Sequence, residues 1–342
     1  MKTKIAFIAV IMVFTFNTSP QAQSLKKVIF SAKGGGEAML PFVISQRLGF
    51  YREEGLQSEV VVTRGTIATQ ALIGGSVDYT NAAVLPAVFS GARLKIILNN
   101  ADKPAQYLVS SPKITNLKQL VGKTVAISDF SGNAFLIMKD LLARTGVPIA
   151  EVKLRVFGEP NLRLNSLLTD SVDATMLSYE QVKRAQAKGY RMLAYSGDHI
   201  SSLSASLCTT DAKIKDSPDE VFRVVRATLK GQLFWYRNPE TIKFLMEALA
   251  ISDEADVKDI WEERTRRASE IAQIGRATDE AMQTNIDRVK EQMKMSGAPA
   301  KAKEVTLDQV YDFSFVKRAY DELLSQKWDA MKYRYVKKTS ST

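Results

Sequence analysis

Residues 71–78 read ALIGGSVD, and 95 residues further along the chain residues 166–173 read SLLTDSVD. The same offset aligns two loops of small residues, 33–37 and 128–132, and each loop follows a β-branched apolar run. Self-similarity at a fixed spacing is the sequence signature of repeated structural units. The chain is therefore predicted to contain two matched halves.

Each half alternates apolar β-type runs with helical runs. In the first half we expect strands at 28–31, 59–63 and 77–80, and helices at 41–49 and 66–73. In the second half the equivalents are strands at 124–128, 153–157 and 174–177, and helices at 133–144 and 162–168. Strands that alternate with helices indicate mostly parallel sheets with right-handed crossovers. The two halves are therefore predicted to form two α/β lobes.

The chain beyond residue 217 shows helix starts and no strand signal. Ser217, Pro218 and Glu220 combine an N-cap serine, a proline at the first helical position and a capping-box glutamate. Further helix starts follow at Asn238, Ser252 and Thr306. This helical C-terminal region is expected to pack on a lobe. The aromatic cluster at 234–236 is interpreted as core or lobe-packing surface, with a ligand-facing position as the alternative.

The composition limits the chemistry that the chain can carry. Its 342 residues are 45% hydrophobic and 25% charged, which is ordinary for a globular protein of about two domains. A single cysteine, Cys208, excludes an internal disulfide and a zinc-type cluster, and His199 is the only histidine. Cys208 is interpreted as a small buried side chain and His199 as a surface or hinge residue. We assign no catalytic residue and expect neither a metal nor a cofactor.

The N-terminus has the features of a targeting segment. Two lysines precede an apolar run at residues 5–16, and Ala22 and Ser24 occupy the −3 and −1 positions of a cleavage site. The run is too short to span a bilayer comfortably, and no cysteine follows it to carry a lipid anchor. Residues 1–24 are therefore predicted to be a signal peptide, and the mature protein to be exported.

The net charge of +10 gives little evidence for a nucleic-acid partner. The basic residues are mostly dispersed and have acidic neighbours, and the one basic block interleaved with aromatics lies at residues 332–338. That block is short and matches no nucleic-acid module, so a solvated tail is the favoured interpretation. We expect no nucleic-acid partner and a mild bias toward anionic ligands.

Candidate binding residues follow from one rule of α/β sheets, that ligands bind beyond the carboxyl ends of the strands. In the first half the loops at these ends supply Lys33, Gly34, Glu37, Gly65, Thr66, Asn81 and Ala82. In the second half they supply Ser128, Ser131, Gly132, Asn133, Glu159, Tyr179 and Glu180. Residues 131–133, at a helix start, either cradle an anion or cap the helix in the ordinary way. The three glutamates are interpreted as ligand-binding groups, because they have no histidine or metal partner for acid–base work.

Five segments together resemble a known family. They are residues 48–56 (LGFYREEGL), 71–79, 114–126 (ITNLKQLVGKTVA), 141–152 and 165–174. As an ordered set they are similar to segments of the periplasmic binding proteins of ABC importers for sulfonates, taurine, nitrate and thiamine precursors. The resemblance covers residues 28–200 and extends only loosely to the C-terminal helices.

The resemblance implies a two-lobed type II periplasmic binding fold with mixed, mostly parallel sheets. Lobe one would comprise residues 25–108 plus 205–342, and lobe two residues 109–204, with hinge strands near 107–110 and 204–209. The implied protein is a periplasmic monomer that closes around a small-molecule ligand and delivers it to ABC permease and ATPase subunits. The family's contacts carry over to Lys33, Gly65, Thr66, Asn81, Ala82, Ser131, Gly132, Asn133, Glu159 and Tyr179.

The leading hypothesis is capture of an anionic or heteroaromatic solute without chemistry. Glu37, Glu159 and Glu180 would be unusual neighbours for a small sulfonate or nitrate. One alternative is an enzyme on the same scaffold, with Glu159 or Glu180 as general base. A second alternative is a sensory module that presents its closed form to a membrane receptor. The fungal-type pyrimidine synthase is similar in fold, but its cysteine-rich motif and histidine have no match here.

Overall fold

The structure, a computed structural model, describes residues 24–33, 39–63, 65–130, 133–203, 206–297 and 304–337. Within these ranges the strands form two five-stranded sheets. Sheet one contains β1 (Lys26–Lys33), β2 (Leu56–Thr63), β3 (Tyr79–Thr80), β4 (Leu94–Leu98) and β10 (Leu207–Thr210), in the order β2-β1-β3-β10-β4. Sheet two contains β5 (Tyr107–Ser110), β6 (Thr124–Ile127), β7 (Lys153–Val156), β8 (Ala174–Leu177) and β9 (Arg191–Tyr195), in the order β7-β6-β8-β5-β9.

Both sheets are mixed and share one plan. In sheet one β1 pairs in parallel with β2 and β3, and β10 is antiparallel to β3 and β4. In sheet two β6 pairs in parallel with β7 and β8, and β5 is antiparallel to β8 and β9. The predicted α/β fold with mixed sheets is confirmed.

The helices divide into three groups along the chain. With sheet one come α1 (Leu40–Arg47), α2 (Phe50–Glu53), α3 (Gly65–Ile73) and α4 (Leu85–Phe89). With sheet two come α5 (Asn133–Arg144), α6 (Pro160–Leu168) and α7 (Tyr179–Gln186). The C-terminal group is α8 (Asp211–Asp216), α9 (Pro218–Arg237), α10 (Thr241–Leu249), α11 (Glu254–Arg267), α12 (Glu270–Gln273), α13 (Asp279–Met295), α14 (Leu307–Val310) and α15 (Ser314–Ser325).

None of the helices within the described ranges has both the length and the apolar character needed to cross a bilayer. The predicted signal peptide, except for its last residue, lies outside the described residues.

The sequence repeat corresponds to a repeated hydrogen-bond arrangement. The Asp78 carboxylate accepts from the backbone N–H of Ile29 at 2.8 Å, and Asp173 accepts from Thr124 at the same distance. The backbone N–H groups of the two aspartates donate to the carbonyls of those same partners, again at 2.8 Å. The 95-residue offset relates every atom in these two clamps, so the repeat is structural.

Two further features of the repeat follow the same offset. Thr80 donates its hydroxyl to the carbonyl of Ser31 at 3.1 Å, and Thr175 donates to Ala126 at 3.0 Å. The turn before each clamp contains a left-handed residue, Gly75 in the first half and Asp170 in the second. A positive φ is easy for glycine and tolerated by aspartate, which explains why the GG and TD pairs are interchangeable in the repeat.

The helix start predicted at Ser217 is correct, but the capping box predicted there is wrong. Proline stands at the start of α9, whereas the Ser217 side chain makes no cap hydrogen bond. Glu220 is buried, accepts from the Tyr79 hydroxyl at 3.1 Å and pairs with Lys213 at 2.7 Å. A buried carboxylate without such partners would cost more free energy than the loss of one helix cap. Capping boxes form at Ser178, at the start of α7, and at Thr306, at the start of α14.

The C-terminal helices complete the core of sheet one. α9 is buried along most of its length and packs against α1 and α15. At Gly231 a Cβ would come within 2.2 Å of the Pro41 carbonyl, so only glycine permits this close approach of the two helices. Sheet two has separate clusters, in which α5 covers one face and α6 and α7 cover the other.

The chain crosses between the sheets twice, through residues 99–106 and through a second segment that the structure describes at 196–203 and 206. Ser206 donates its hydroxyl to the Asn99 side chain at 3.1 Å, and the N–H of Ser202 donates to the Asp102 carbonyl at 2.7 Å. The two crossing segments therefore run side by side. The lobe boundary predicted between residues 108 and 109 falls inside β5, because the first crossing ends before Tyr107.

The aspartate clamps predict equivalent losses of stability in the two halves. We expect Asp78→Ala and Asp173→Ala each to lower the free energy of unfolding by about 1–3 kcal/mol, because each leaves a strand N–H without its acceptor. Asp78 is expected to cost more, since it also pairs with Lys213 at 2.8 Å. Urea denaturation measures the losses. Asp219→Ala, which removes an exposed carboxylate, serves as the control, and losses no larger than its own would contradict the clamp interpretation.

Candidate ligand-binding cleft

A cleft of about 760 Å³ is lined by residues from both sheets. Its walls come from the loops that follow β3 and β8, from both crossing segments, and from the C-terminal helices α9, α11 and α13. The volume lies in the range typical of small-molecule sites. The position agrees with the rule that ligands bind beyond the carboxyl ends of parallel strands.

Five of the predicted binding residues line this cleft, namely Asn81, Ala82, Asn133, Tyr179 and Glu180. Asn81 and Ala82 follow β3, and Tyr179 and Glu180 follow β8 at the start of α7. Asn133 is the first residue of α5. These loops are brought together because both sheets direct the carboxyl ends of their parallel strands toward the same space.

The structure places the other predicted residues differently. Thr66 and Glu159 are exposed and Ser128 is half-buried. None of these three belongs to the described residues that line the cleft. Lys33 and Gly65 are placed by their backbone only, as the last residue of β1 and the first of α3. Gly34, Glu37, Ser131 and Gly132 lie outside the described residues.

Three tyrosines form an aromatic wall on the sheet-two side. The ring of Tyr107, in β5, lies 4.9 Å from that of Tyr195 and 5.4 Å from that of Tyr179. Tyr107 is fully buried and donates its hydroxyl to Glu263 at 3.0 Å. Of these three tyrosines, only Tyr179 is predicted from the sequence. Tyr107 and Tyr195 lie within strands, and their rings come together only because β5 pairs with β9.

Trp235 and Tyr236 form a second aromatic wall. Both are buried at the end of α9, with ring centroids 6.2 Å apart, and both line the cleft. The Tyr236 hydroxyl donates to the backbone carbonyl of Asn100 at 2.7 Å. The interpretation of 234–236 as core is therefore correct for Phe234 and incomplete for its two neighbours.

The guanidinium of Arg267 lies at the edge of the tyrosine wall. Its carbon is 4.5 Å from the Tyr195 ring centroid, a cation–π contact. It also pairs with Glu263 at 3.0 Å and with Asp198 at 2.8 Å. Much of its charge is therefore balanced within the protein.

The cleft tyrosines stay protonated at neutral pH. Burial raises the pKa of Tyr195 to about 12 and the pKa values of Tyr107 and Tyr236 further, and the nearby charge of Arg264 opposes each rise. Arg264 therefore lies within electrostatic reach of all three hydroxyls. At neutral pH these hydroxyls are therefore uncharged and can donate or accept hydrogen bonds.

Cys208 and His199 lie where the sequence indicated, the first buried and the second at the surface. Cys208 lines the cleft but is buried, and burial raises the pKa of its thiol. A protonated thiol is a poor nucleophile. His199 is exposed, directly after the short helix Ser196–Asp198 in the second crossing segment.

Helix α11 links the sheet-one core to sheet two on one side of the cleft. Its Val257 and Ile260 side chains belong to the sheet-one core. Its Asp259 accepts from Lys183, on α7, at 2.7 Å, and its Glu263 accepts from Tyr107. Helix α11 therefore contacts both walls of the cleft.

Helix α13 makes the corresponding contact on the other side. Met282 and Ile286 pack in the second core cluster of sheet one. Further along the helix, Arg288 pairs with Asp140, on α5, at 2.9 Å, and Glu291 pairs with Lys139. The two walls are thus joined by polar contacts at both ends of the cleft.

Two mixed sheets joined by two crossing segments, with a cleft at their strand ends, define the two-lobed fold of the periplasmic binding proteins. The profile of the NMT1/THI5-like family matches residues 37–242, and the chain belongs to this family. A search among curated proteins finds no match.

Solved structures share the fold at low sequence identity. A putative periplasmic sulfonate-binding protein, SsuA, from Methylobacillus flagellatus has 17% identity and a TM-score of 0.69 over 88% of this chain and 96% of its own. A Candida albicans protein with the generic periplasmic binding protein fold has 16% identity and a TM-score of 0.54 over 93% and 99%. A mutant of the desulfurization enzyme DSZB with biphenyl-2-sulfinic acid has 14% identity and a TM-score of 0.63 over 87% and 99%.

The contacts of Glu263 predict that it anchors α11 across the cleft. We expect Glu263→Ala to lower the free energy of unfolding by about 2 kcal/mol, because its side chain is 3% exposed. Its loss leaves the Tyr107 hydroxyl without its acceptor and removes one of the two carboxylates that pair with Arg267. Urea denaturation measures the loss, and hydrogen exchange in residues 254–267 should accelerate. Glu262→Ala, at the exposed neighbouring position, should cost less than about 0.5 kcal/mol. Equal losses in the two variants would contradict this role.

Proposed function

We propose that the chain is the periplasmic solute-binding component of an ABC-type import system. The observation that supports this most is the aromatic-walled cleft at the strand ends of two repeated sheets. Family membership supports the same function, as do the fold neighbours named as binding components of importers. In this proposal the chain acts as a monomer, without nucleic acid, and delivers its ligand to permease and ATPase subunits.

The proposed capture works by closure of two lobes. Lobe one would contain sheet one and the C-terminal helices, and lobe two would contain sheet two, with residues 99–106 and 196–206 as the hinge. Short segments that run side by side in this way can absorb a rotation while each sheet stays intact. The contacts of α11 with Tyr107 and Lys183 would then form or break as the lobes move.

We further propose that the ligand is a planar aromatic or heteroaromatic solute. Five aromatic residues line the cleft in two groups, Tyr107, Tyr179 and Tyr195 in the first and Trp235 and Tyr236 in the second. Stacking on such rings contributes about 0.5–1.5 kcal/mol per pair beyond burial. Neighbouring structures are named for sulfonates, but a cleft of about 760 Å³ is larger than a small sulfonate requires.

The enzyme alternative has less support, although the DSZB enzyme shares the fold. Glu180 lines the cleft, but Glu159 is exposed at the start of α6 and does not line it. The Cys208 thiol is protonated by its burial, and the cleft tyrosines are protonated as well. A sensory role would use the same closed form and would require a membrane partner.

Two cleft residues test the proposed site. We expect Tyr179→Ala and Asn133→Ala each to weaken ligand binding about tenfold, which corresponds to one lost stacking or hydrogen-bonding contact. A thermal-shift screen of sulfonates, aromatic carboxylates, pyrimidines and flavins identifies the ligand, since a ligand at 100 times its Kd stabilises the native state by about 2.7 kcal/mol. Calorimetry then measures the affinities. The matched controls are Tyr190→Ala and Asn165→Ala, outside the cleft, and wild-type affinity in both cleft variants would show that the site lies elsewhere.

Export can be tested independently of the ligand. We expect the protein recovered from a periplasmic extract to begin near Leu25, because Ala22 and Ser24 fit the signal-peptidase pattern. N-terminal sequencing and intact mass measure the processing site. Recovery of the full-length chain from the cytoplasmic fraction alone would contradict the proposed location.

A further inference from the structure

Two polar side chains of the first crossing segment have unused hydrogen-bonding capacity. Asn100 and Asp102 both line the cleft, and each is only 6% exposed. Among the described residues, the Asn100 amide nitrogen and oxygen have no hydrogen-bond partner. Oδ1 of Asp102 has no partner there either. An unpaired buried polar atom costs about 1–3 kcal/mol, so three in one short segment require an explanation.

The other atoms of the segment hold it firmly. Oδ2 of Asp102 accepts from the Ser269 hydroxyl at 2.5 Å, and the Asp102 carbonyl accepts from the N–H of Ser202 at 2.7 Å. The Asn100 carbonyl accepts from the Tyr236 hydroxyl at 2.7 Å. The unpaired atoms therefore belong to a well-fixed part of the cleft wall.

These atoms lie beside the aromatic wall. Burial raises the pKa of Tyr236, and the charge of Asp102 raises it further, so the carboxylate is within electrostatic reach of the Tyr236 hydroxyl. Tyr236 and its neighbour Trp235 line the same cleft. The polar substituents of a ligand ring stacked on Trp235 or Tyr236 would therefore lie near Asn100 and Asp102.

The chemistry of the two side chains determines which hydrogen-bonding groups the ligand must carry. A carboxylate oxygen only accepts hydrogen bonds, whereas an amide both donates and accepts. A sulfonate group has acceptor oxygens only, so it cannot satisfy Asp102.

We infer that the cleft selects a planar aromatic ligand that donates an N–H or O–H to Asp102 and pairs with the amide of Asn100. This inference rests on the proposed function and specifies its ligand class. It predicts that an alkanesulfonate binds poorly, although neighbouring structures are named for sulfonates.

Calorimetry with matched probes tests this selection on the mature protein. The pairs are para-aminobenzoate with its N,N-dimethyl form and uracil with its doubly N-methylated form, and ethanesulfonate is the acceptor-only probe. We expect the donor-bearing member of a pair to bind at least about tenfold more tightly, as one hydrogen bond to a charged group provides.

Asp102→Asn is the decisive variant. Its amide oxygen can still accept from Ser269, while its NH₂ group replaces the unpaired acceptor. We expect the preference for the donor-bearing probe to fall below about twofold, and Asp219→Asn, at an exposed carboxylate, to leave it unchanged. Thermal denaturation of both variants checks that the fold is retained.

The outcomes separate this inference from the proposed function. Equal affinity within both pairs, or an unchanged preference in Asp102→Asn, would overturn the donor requirement while solute capture stands. Tight binding of ethanesulfonate, or failure of both aromatic pairs while another solute of the screen binds, would overturn it equally. Absence of binding by every probe and every solute of the screen would contradict the proposed function and the inference together.

Discussion

Each sheet is organised around one carboxylate that accepts from the backbone of the first strand of its unit. Asp78 holds the entry to β3 against β1, and Asp173 holds the entry to β8 against β6, with the same 2.8 Å geometry. Because the side chain fixes the register of two parallel strands, it also fixes where both strands end. The cleft residues Asn81 and Tyr179 lie three and six residues beyond these aspartates. The position of the site thus depends on two side chains that do not line it.

The fold was predictable because its main determinants are local and repeated. The spacing of apolar runs and the SVD turn predict the parallel strands and their helices, and the 95-residue offset predicts the second sheet from the first. The insertion of β10 into sheet one and of β5 into sheet two was not readable from the residues themselves. Those pairings join segments far apart in sequence, such as Cys208 with Thr80. Glu220 is a second case in which distant contacts could not be predicted. Its side chain binds Lys213 and Tyr79 instead of capping the helix, although the local sequence matches a capping box.

The cleft residues that follow strands were predictable from the sequence, whereas those brought to the cleft by helix packing were not. Asn81, Asn133 and Tyr179 follow strands, and the general rule for α/β sheets found them. Trp235 and Tyr236 reach the cleft only because α9 lies against α1 with Gly231 at the contact. A run of aromatic residues in a long helix looks the same whether it enters a core or ends at a cavity, so sequence could not separate the two interpretations.

The late position of β10 in the chain has a consequence for the order of assembly. Sheet two is built from one continuous stretch, from Tyr107 to Tyr195, whereas the central part of sheet one includes β10, at Leu207–Thr210. A chain that emerges from its N-terminus can therefore complete the second sheet before the first. Until β10 arrives, β3 and β4 have no partner between them, and the hydrogen-bonding edges of both strands stay open. The N-terminal lobe is thus the later of the two to become a finished structure, and the cleft can form only after it.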